Sequence, residues 1–280
     1  MGLAALRAGA HLYLEKPITQ TLAQADELLG AAKHAGLRIV VAHQMRLAPN
    51  ILALKRCVDE GLIGELLQIR SYGKQDHRAR GEDLLVLGVH LFDLMRFFAG
   101  DPPWCAARVL QNGHEITAAD AHPATEDIGP VAGDEILAEF AFPTGLQGTF
   151  TSRARNREAA GPWGMELIGS KGTVKIQMEM IPRIYLLEAD RWTEQGRKAE
   201  WRLWGQDPTL LLPASERTIT SANQRIAADW LAAIAEKREA VCSGYSGMKA
   251  LEMGMAVFAA GLTRGRVQIP LKGRNHPLRT

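Results

Sequence analysis

Over the first 46 residues the apolar side chains fall alternately into short continuous runs and into a spacing of three or four, the patterns of a buried strand and an amphipathic helix. Gly2 to Ala10 reads as the end of a helix. Leu12-Tyr13-Leu14 predicts a short strand that Pro17 stops, because proline has no N–H for a sheet ladder, and this leaves Lys16 at the strand's carboxyl end. Thr21, with Gln24 three residues on, has the form of a capping box. Leu22, Ala25, Leu28, Leu29 and Ala32 line one helical face, and Gly36 ends that helix. Arg38 to His43 predicts a second buried strand, which brings His43, Gln44 and Arg46 to the edge that carries Lys16. Strands and helices alternating at these lengths predict a parallel sheet, and ligands of such sheets bind beyond the carboxyl ends of the strands.

The pattern changes after Pro49. Ile51, Leu54 and Val58 predict a helix over Asn50 to Glu60, ended by Gly61, and Leu66 to Tyr72 opens a different sheet; the division expected is 1–48 and 49–280. Gly73 to Asp83 is a polar loop dense in groups that bind hydroxylated ligands, among them Lys74, His77 and Arg78. Gly88 to Phe98 predicts a helix on which His90 and Asp93 share a face while Leu91, Leu94, Met95 and Phe98 form a broad apolar one. Pro102 to Gly133 shows little periodicity and is expected to be a long excursion over one face of the sheet. Alternation returns over Glu135 to Phe142 and Leu146 to Arg153, on either side of Pro143-Thr144-Gly145, and over Glu166 to Ile168 and Thr173 to Ile176. With Ile184 to Leu187 and Trp201 to Trp204 added, these segments predict an antiparallel sheet. Two helices finish the chain, the first capped by Ser221 or Asn223 and the second running from Gly247 to Gly261; both are expected to pack back on the first domain.

Composition narrows the function. The net charge of the 280 residues is +2 with both signs interspersed, which argues against a nucleic-acid surface or a membrane-binding face. Three cysteines without Cys-x-x-Cys spacing point to a reducing, cytoplasmic setting. Met253 to Leu262, the most apolar stretch, is well short of the roughly 18 to 20 residues that span a bilayer. The first residues lack the pattern of a signal peptide. His114 and His122 have no paired carboxylate at metal spacing, so no metal site is expected.

Assembled in order, several of these segments resemble the Gfo/Idh/MocA family, which includes glucose-fructose oxidoreductase and inositol 2-dehydrogenase. The resemblance is carried by Gly-Ala-His-Leu-Tyr-Leu-Glu-Lys-Pro at 9 to 17, His43 to Pro49, Gly61-Leu62-Ile63-Gly64, Gly88-Val89-His90-Leu91-Phe92-Asp93 and Ile168 to Thr173. It implies an α/β plus α+β architecture: the C-terminal part of a Rossmann domain, then an α/β domain on a large, mostly antiparallel sheet. It also implies hydride transfer between NAD or NADP and a hydroxyl-bearing carbon of a sugar or cyclitol. In that frame Lys16 approaches nicotinamide and substrate, His90 is the acid/base and Asp93 a substrate ligand. Glu15, Lys16, Pro17, His43, Gln44 and Arg46 border the cofactor, while Lys74, His77, Arg78 and Arg153 are candidate substrate ligands. A homo-oligomer through the antiparallel sheet is expected. The chemistry has a physical need for such groups: a carbinol losing hydride must give its proton to a base within about 3 Å, and an ammonium stabilises the alkoxide charge that develops.

Two positions depart from the family pattern. Many members carry an aspartate four residues before the histidine, where this chain has Val86; on one continuous helix Asp83, seven residues before His90, would lie on the same face and take its place. The Gly-x-Gly-x-x-Gly loop that cradles the dinucleotide phosphates is absent from the 280 residues. The expectation is therefore an N-terminally truncated member whose binding of NAD(H) or NADP(H) is weak or absent. A glycosidase that oxidises its substrate transiently through NAD, and a ligand-binding or oligomeric scaffold without catalysis, are the alternatives.

Overall fold

The two apolar runs pair as parallel strands β1 (Leu12–Leu14) and β2 (Ile39–Val41), with Leu14 opposite Val41. Helix α2 (Leu22–Ala35) crosses between them, and α1 (Gly2–Arg7) packs on it through Gly2 and Leu28. The capping box forms: Thr21 Oγ1 accepts from the Gln24 N–H and the Gln24 side chain accepts from the Thr21 N–H, while Gly36 closes the helix at φ 69°, where a Cβ would be strained. The free edge of β2 is covered by the chain at Cys242 and Ser243, whose Cys242 carbonyl accepts from the Val41 N–H. The computed structural model describes residues 1–143, 145–154, 163–179, 181–189, 194–205 and 213–279.

After α3 (Pro49–Asp59) the chain builds a large sheet. Its strands are β3 (Leu66–Tyr72), β4 (Trp104–Gln111), β5 (His114–Glu115), β8 (Glu135–Ala141), β9 (Gln147–Arg153), β10 (Gly164–Gly169), β11 (Thr173–Gln177), β12 (Arg183–Leu187), β13 (Arg202–Leu203) and β14 (Val267–Gln268). Their order is β13-β12-β11-β10-β3-β9-β8-β4-β14, with β5 beside β4, and each neighbouring pair is antiparallel except β3 and β9. A small ladder of β6 (His122–Pro123) and β7 (Pro130–Val131) stands apart. Residue 144, in the predicted turn between β8 and β9, lies outside the described residues.

One face of this sheet is covered by α5 (Gly88–Ala99) and by the long helix α8 (Gly244–Thr263). The Phe92 ring meets those of Phe140 and Phe150 at 5.5 and 5.1 Å between centroids. Glycines let α8 lie close to both sheets: a Cβ at Gly247 would fall 2.5 Å from Val41 of β2, and one at Gly261 2.9 Å from Val109 of β4. One core therefore runs without interruption from Leu6 and Leu12 to Phe150 and Ile269. Burial of this kind stabilises by roughly 1.5–3 kcal/mol per large apolar side chain. Helix α7 (Ile219–Ala235) packs on the other side of the first two strands, its Trp230 against Tyr13, and α6 (Glu194–Lys198) is a short surface turn. No helix among the described residues is long and apolar enough to cross a membrane.

Four expectations change. The aperiodic stretch 102–133 is not all excursion, since Trp104–Gln111 is an inner strand of the sheet, β4, whose partners lie far away in sequence; only 112–133 leaves the sheet. The helix expected to join Asp83 to His90 is broken at Leu87 into α4 (Glu82–Val86) and α5, so the two side chains do not share one helical face. Helix α7 is capped by Thr218, not by Ser221 or Asn223, and α8 starts earlier than Gly247, at Gly244, with Ser243 as its cap. Arg153 falls on the sheet face opposite α5: residues 148, 150 and 152 of β9 point inward, so 153 points outward and pairs with Glu135 at 3.0 Å.

Candidate active site

Because β1 and β2 run parallel in register, the residues two beyond each strand emerge together: Lys16 after Leu14 and His43 after Val41. The Lys16–Pro17 peptide is cis. The amino-terminal half of α5 approaches the same edge and carries His90 and Asp93, both buried. The imidazoles of His43 and His90 lie 5.5 Å apart between centroids, tilted by 58°.

Asp93 is the fixed point of this cluster. Its carboxylate accepts from Arg46 Nε at 2.8 Å and Nη2 at 2.7 Å, its carbonyl accepts from the same Nη2 at 2.8 Å, and His43 Nδ1 lies 3.3 Å from Oδ1. Burial alone would raise the Asp93 pKa. The charges and hydrogen bonds of Arg46 and His43 outweigh it and hold the carboxyl well below the usual carboxylate range. The Arg46 guanidinium in turn stacks over Phe97, 4.9 Å from the ring centroid. Arg46 and Asp93 thus spend their hydrogen bonds on each other and tie the first strands to α5. Gln44 likewise donates to Asn223 of α7 at 2.9 Å.

His90 has the opposite environment. Burial, then the charges of His43 and Lys16, push its pKa well below that of an ordinary imidazole, with Asp93 opposing, so the ring is neutral at neutral pH. Its Nδ1 is buried and makes no hydrogen bond. Lys16 is close enough for its charge to act on His90. Its own pKa is lowered, chiefly by burial and further by Arg78, against the opposing pull of Glu126 and Glu15.

Glu126, whose Oε2 lies 3.9 Å from Lys16 Nζ, is a residue that sequence reasoning missed. It stands in a polar run with no periodicity, and nothing local marks it. What places it is Glu82: its buried carboxylate accepts from the backbone N–H groups of Thr125 and Glu126 and from the Thr125 hydroxyl, pinning the excursion over the strand ends. Glu126 also walls an open groove of about 580 Å³ with Gln20, Asp127 and Arg279.

The loop after β3 forms the rim. Arg78 makes a two-point pair with Asp76, at 3.1 and 2.6 Å, and reaches Glu126 at 3.9 Å; Lys74 lies 3.5 Å from Asp76 and 5.5 Å from the centre of the Trp163 ring. His77 projects outward and is exposed. Asp83, offered in place of the carboxylate missing at Val86, turns toward the loop after β3. It accepts from the Ser152 hydroxyl at 2.6 Å and from the N–H groups of Lys74 and Gln75 at 3.1 Å, and so shapes the rim loop. Burial raises its pKa against those bonds. Among the described residues no group of three or more histidine, cysteine, aspartate or glutamate side chains could hold a metal ion.

Comparison with known proteins agrees with this architecture. Residues 1–43 match a profile described as an oxidoreductase family with an NAD-binding Rossmann fold, and residues 51–175 match the GFO/IDH/MocA C-terminal domain. The chain is 26% identical over 264 residues to D-apiose dehydrogenase of Paraburkholderia graminis, covering 91% of this chain and 65% of that protein. It is 24% identical over 204 residues to levoglucosan dehydrogenase of Pseudarthrobacter phenanthrenivorans, an alignment covering 64% of this chain and 52% of that enzyme. The matches thus take in between half and two thirds of the length of these two relatives. Levoglucosan dehydrogenase solved with NADH and levoglucosan superposes with a TM-score of 0.77 at 21% identity, over 96% of this chain and 76% of that one. Two strand ends meeting a histidine-bearing helix, the profiles at both ends of the match and the shared fold lead to one conclusion: the chain belongs to the Gfo/Idh/MocA oxidoreductase family.

Proposed function

We propose that the protein is an NAD(P)-dependent oxidoreductase that moves a hydride between nicotinamide and a sugar- or cyclitol-like alcohol. The observation that carries this reading is the meeting of an ammonium, Lys16, with a neutral buried imidazole, His90, at the carboxyl edge of a parallel strand pair. The residues present fit the nicotinamide end of a dinucleotide: Glu15, Lys16 and Pro17 follow β1, His43 follows β2, and this is the edge at which such folds take a nucleotide. The phosphate-cradling glycine loop is not among the 280 residues, so the affinity of this chain for the dinucleotide is expected to be weak.

When bound, nicotinamide would accept the hydride of the carbinol carbon. His90 takes the hydroxyl proton, which its low proton affinity leaves it free to do at neutral pH. Lys16 donates to the same oxygen and stabilises its growing negative charge; partial burial strengthens that interaction by excluding water. Lys74 and Arg78, partly neutralised by Asp76, retain N–H groups for sugar hydroxyls at the rim. The outer face of the large sheet, where Leu137 and Leu203 are exposed, is assigned to a second copy of the chain.

The test uses the 280-residue chain with millimolar NAD+ or NADP+ and a panel of pentoses, anhydrosugars and cyclitols. Reduced nicotinamide should accumulate with at least one of them, and Lys16→Met and His90→Asn should each lower kcat by roughly a hundredfold or more. Turnover that survives in both variants would refute the assignment.

A further inference from the structure

The groove beside Glu126 is left unused by the chemistry above. It holds about 580 Å³ between the 121–130 segment and the last residues of the chain, within the range of roughly 300–1,000 Å³ in which proteins enclose whole small-molecule ligands. Glu126 divides it from the reaction centre. Its carboxylate stands 3.9 Å from Lys16 on one side and 3.9 Å from Arg78 on the other, too far for a hydrogen bond to either, and it accepts none from the other described residues. A hydroxyl beside either cation can accept from that cation and donate to Glu126.

Both walls of the groove are held in place. On one side Glu82 pins the backbone at Thr125 and Glu126. On the other the chain's tail is tied down by Arg274, which pairs with Asp26 of α2 at 2.6 and 2.7 Å and with the buried Glu252 of α8. The His276 ring then packs 5.9 Å from that of Phe258 and lies so close under Gly129 that a Cβ there would come within 3.2 Å of it. Gln20 joins the two walls: its Nε2 donates to Asp127 Oδ1 at 2.5 Å and its Oε1 accepts from Arg279 Nη2 at 2.7 Å. The second Asp127 oxygen and the other side-chain N–H groups of Arg279 have no hydrogen-bond partner among the described residues.

The lining selects a class of ligand. Pro123 stands opposite Pro130 in the β6–β7 ladder, and both border the groove, an apolar patch on which the C–H face of a sugar ring can lie. Around it the carboxylates of Glu126 and Asp127 offer acceptors, and Gln20 and Arg279 offer donors, for hydroxyl groups. Two carboxylates against one guanidinium disfavour a phosphate-bearing or otherwise anionic ligand, which sets this groove apart from the cofactor's place.

We propose that the groove is a second sugar-binding subsite, taking the distal ring of a neutral disaccharide or glycoside whose reacting ring lies at Lys16 and His90, with Glu126 between the two rings. The last residues of the chain thereby take part in choosing the substrate. The place of the reacting ring rests on the function proposed above; sugar binding in the groove does not.

The experiment compares, by calorimetric or NMR titration, the binding of glucose with that of maltose and cellobiose, and of xylose with that of xylobiose, to the 280-residue chain. Millimolar NADH is present to occupy the cofactor end without oxidising the sugar. At least one disaccharide should bind about tenfold tighter than its own monosaccharide. Asp127→Ala and Arg279→Ala, both at exposed positions and checked for folding by circular dichroism, should each lower that disaccharide-to-monosaccharide ratio severalfold. Disaccharides that bind no tighter than their monosaccharides, or do not bind, overturn the inference, as does a ratio unchanged in both folded variants. A preference for the longer sugar without reduction of NAD+ by any sugar would refute the proposed function alone, and reduction of NAD+ by sugars with no such preference would refute this inference alone.

Discussion

Asp93 shows how much one side chain can hold together. Its carboxylate compensates Arg46, orients His43 and anchors the start of α5. Asp93→Asn leaves a buried guanidinium without its counter-charge and is predicted to destabilise the fold by about 3–5 kcal/mol, read from the denaturant midpoint. The depressed pKa of Asp93 adds a pH signature. Its stabilisation is complete above the unfolded carboxyl value of about 4 and is lost as pH falls through the folded value, so unfolding free energy should drop below about pH 4 in the wild type and less steeply in Asp93→Asn. His90 acts at a higher pH. A ring held neutral when folded takes up a proton on unfolding, so stability falls as pH drops through about 6.5, and His90→Asn should flatten that part of the curve. At this scale the sequence pointed to the candidate groups but not to the partners around them. Lys16 and His90 could be named because each ends or begins a patterned segment. Glu126 could not, because the carboxylate that holds it, Glu82, lies 43 residues from Thr125 in the chain.

Among the elements, periodicity was enough wherever a segment had one buried face. The Thr21 capping box, the β8–β9 hairpin and the β10–β11 hairpin are all visible as local patterns. It failed for β4, whose run Trp104–Gln111 becomes a strand only through partners on β8 and β14, and for the α4–α5 break, where no proline marks the bend at Leu87. Helix α8 is the element on which both sheets depend. Gly247→Ala would drive a Cβ to 2.5 Å from Val41 and should cost about 1–3 kcal/mol by overpacking, whereas Thr21→Ala, which removes only a cap, should cost about 1 kcal/mol. Thermal unfolding of the two variants ranks the contributions; equal losses would mean that α8 yields more easily than its packing implies.

For the molecule as a whole, β1 and β2 form a two-stranded parallel sheet whose outer edge at β1 pairs with no other described strand, yet they share one core with the nine further strands in the main path of the large sheet. The tie is made by α8 and by the Arg46–Asp93 pair, so the strand ends and α5 are held as a unit. The outer face of the large sheet points away from this site and exposes Leu137 and Leu203. If a second copy covers it, sedimentation should show a dimer or larger, and Leu137→Glu should shift it toward monomer with the His90 titration unchanged; a monomeric wild type at micromolar concentration would remove that assignment.

The account stands on the proximity of two groups separated by 74 positions in sequence, Lys16 and His90. Their electrostatic contact can be measured directly by following the His90 ring by nitrogen-15 NMR against pH in the wild type and in Lys16→Met. Removing the ammonium should raise the His90 midpoint, because a nearby positive charge no longer opposes its protonation. A midpoint that stays where it was, in a variant that remains folded, would place the two groups in separate environments and contradict the proposed site.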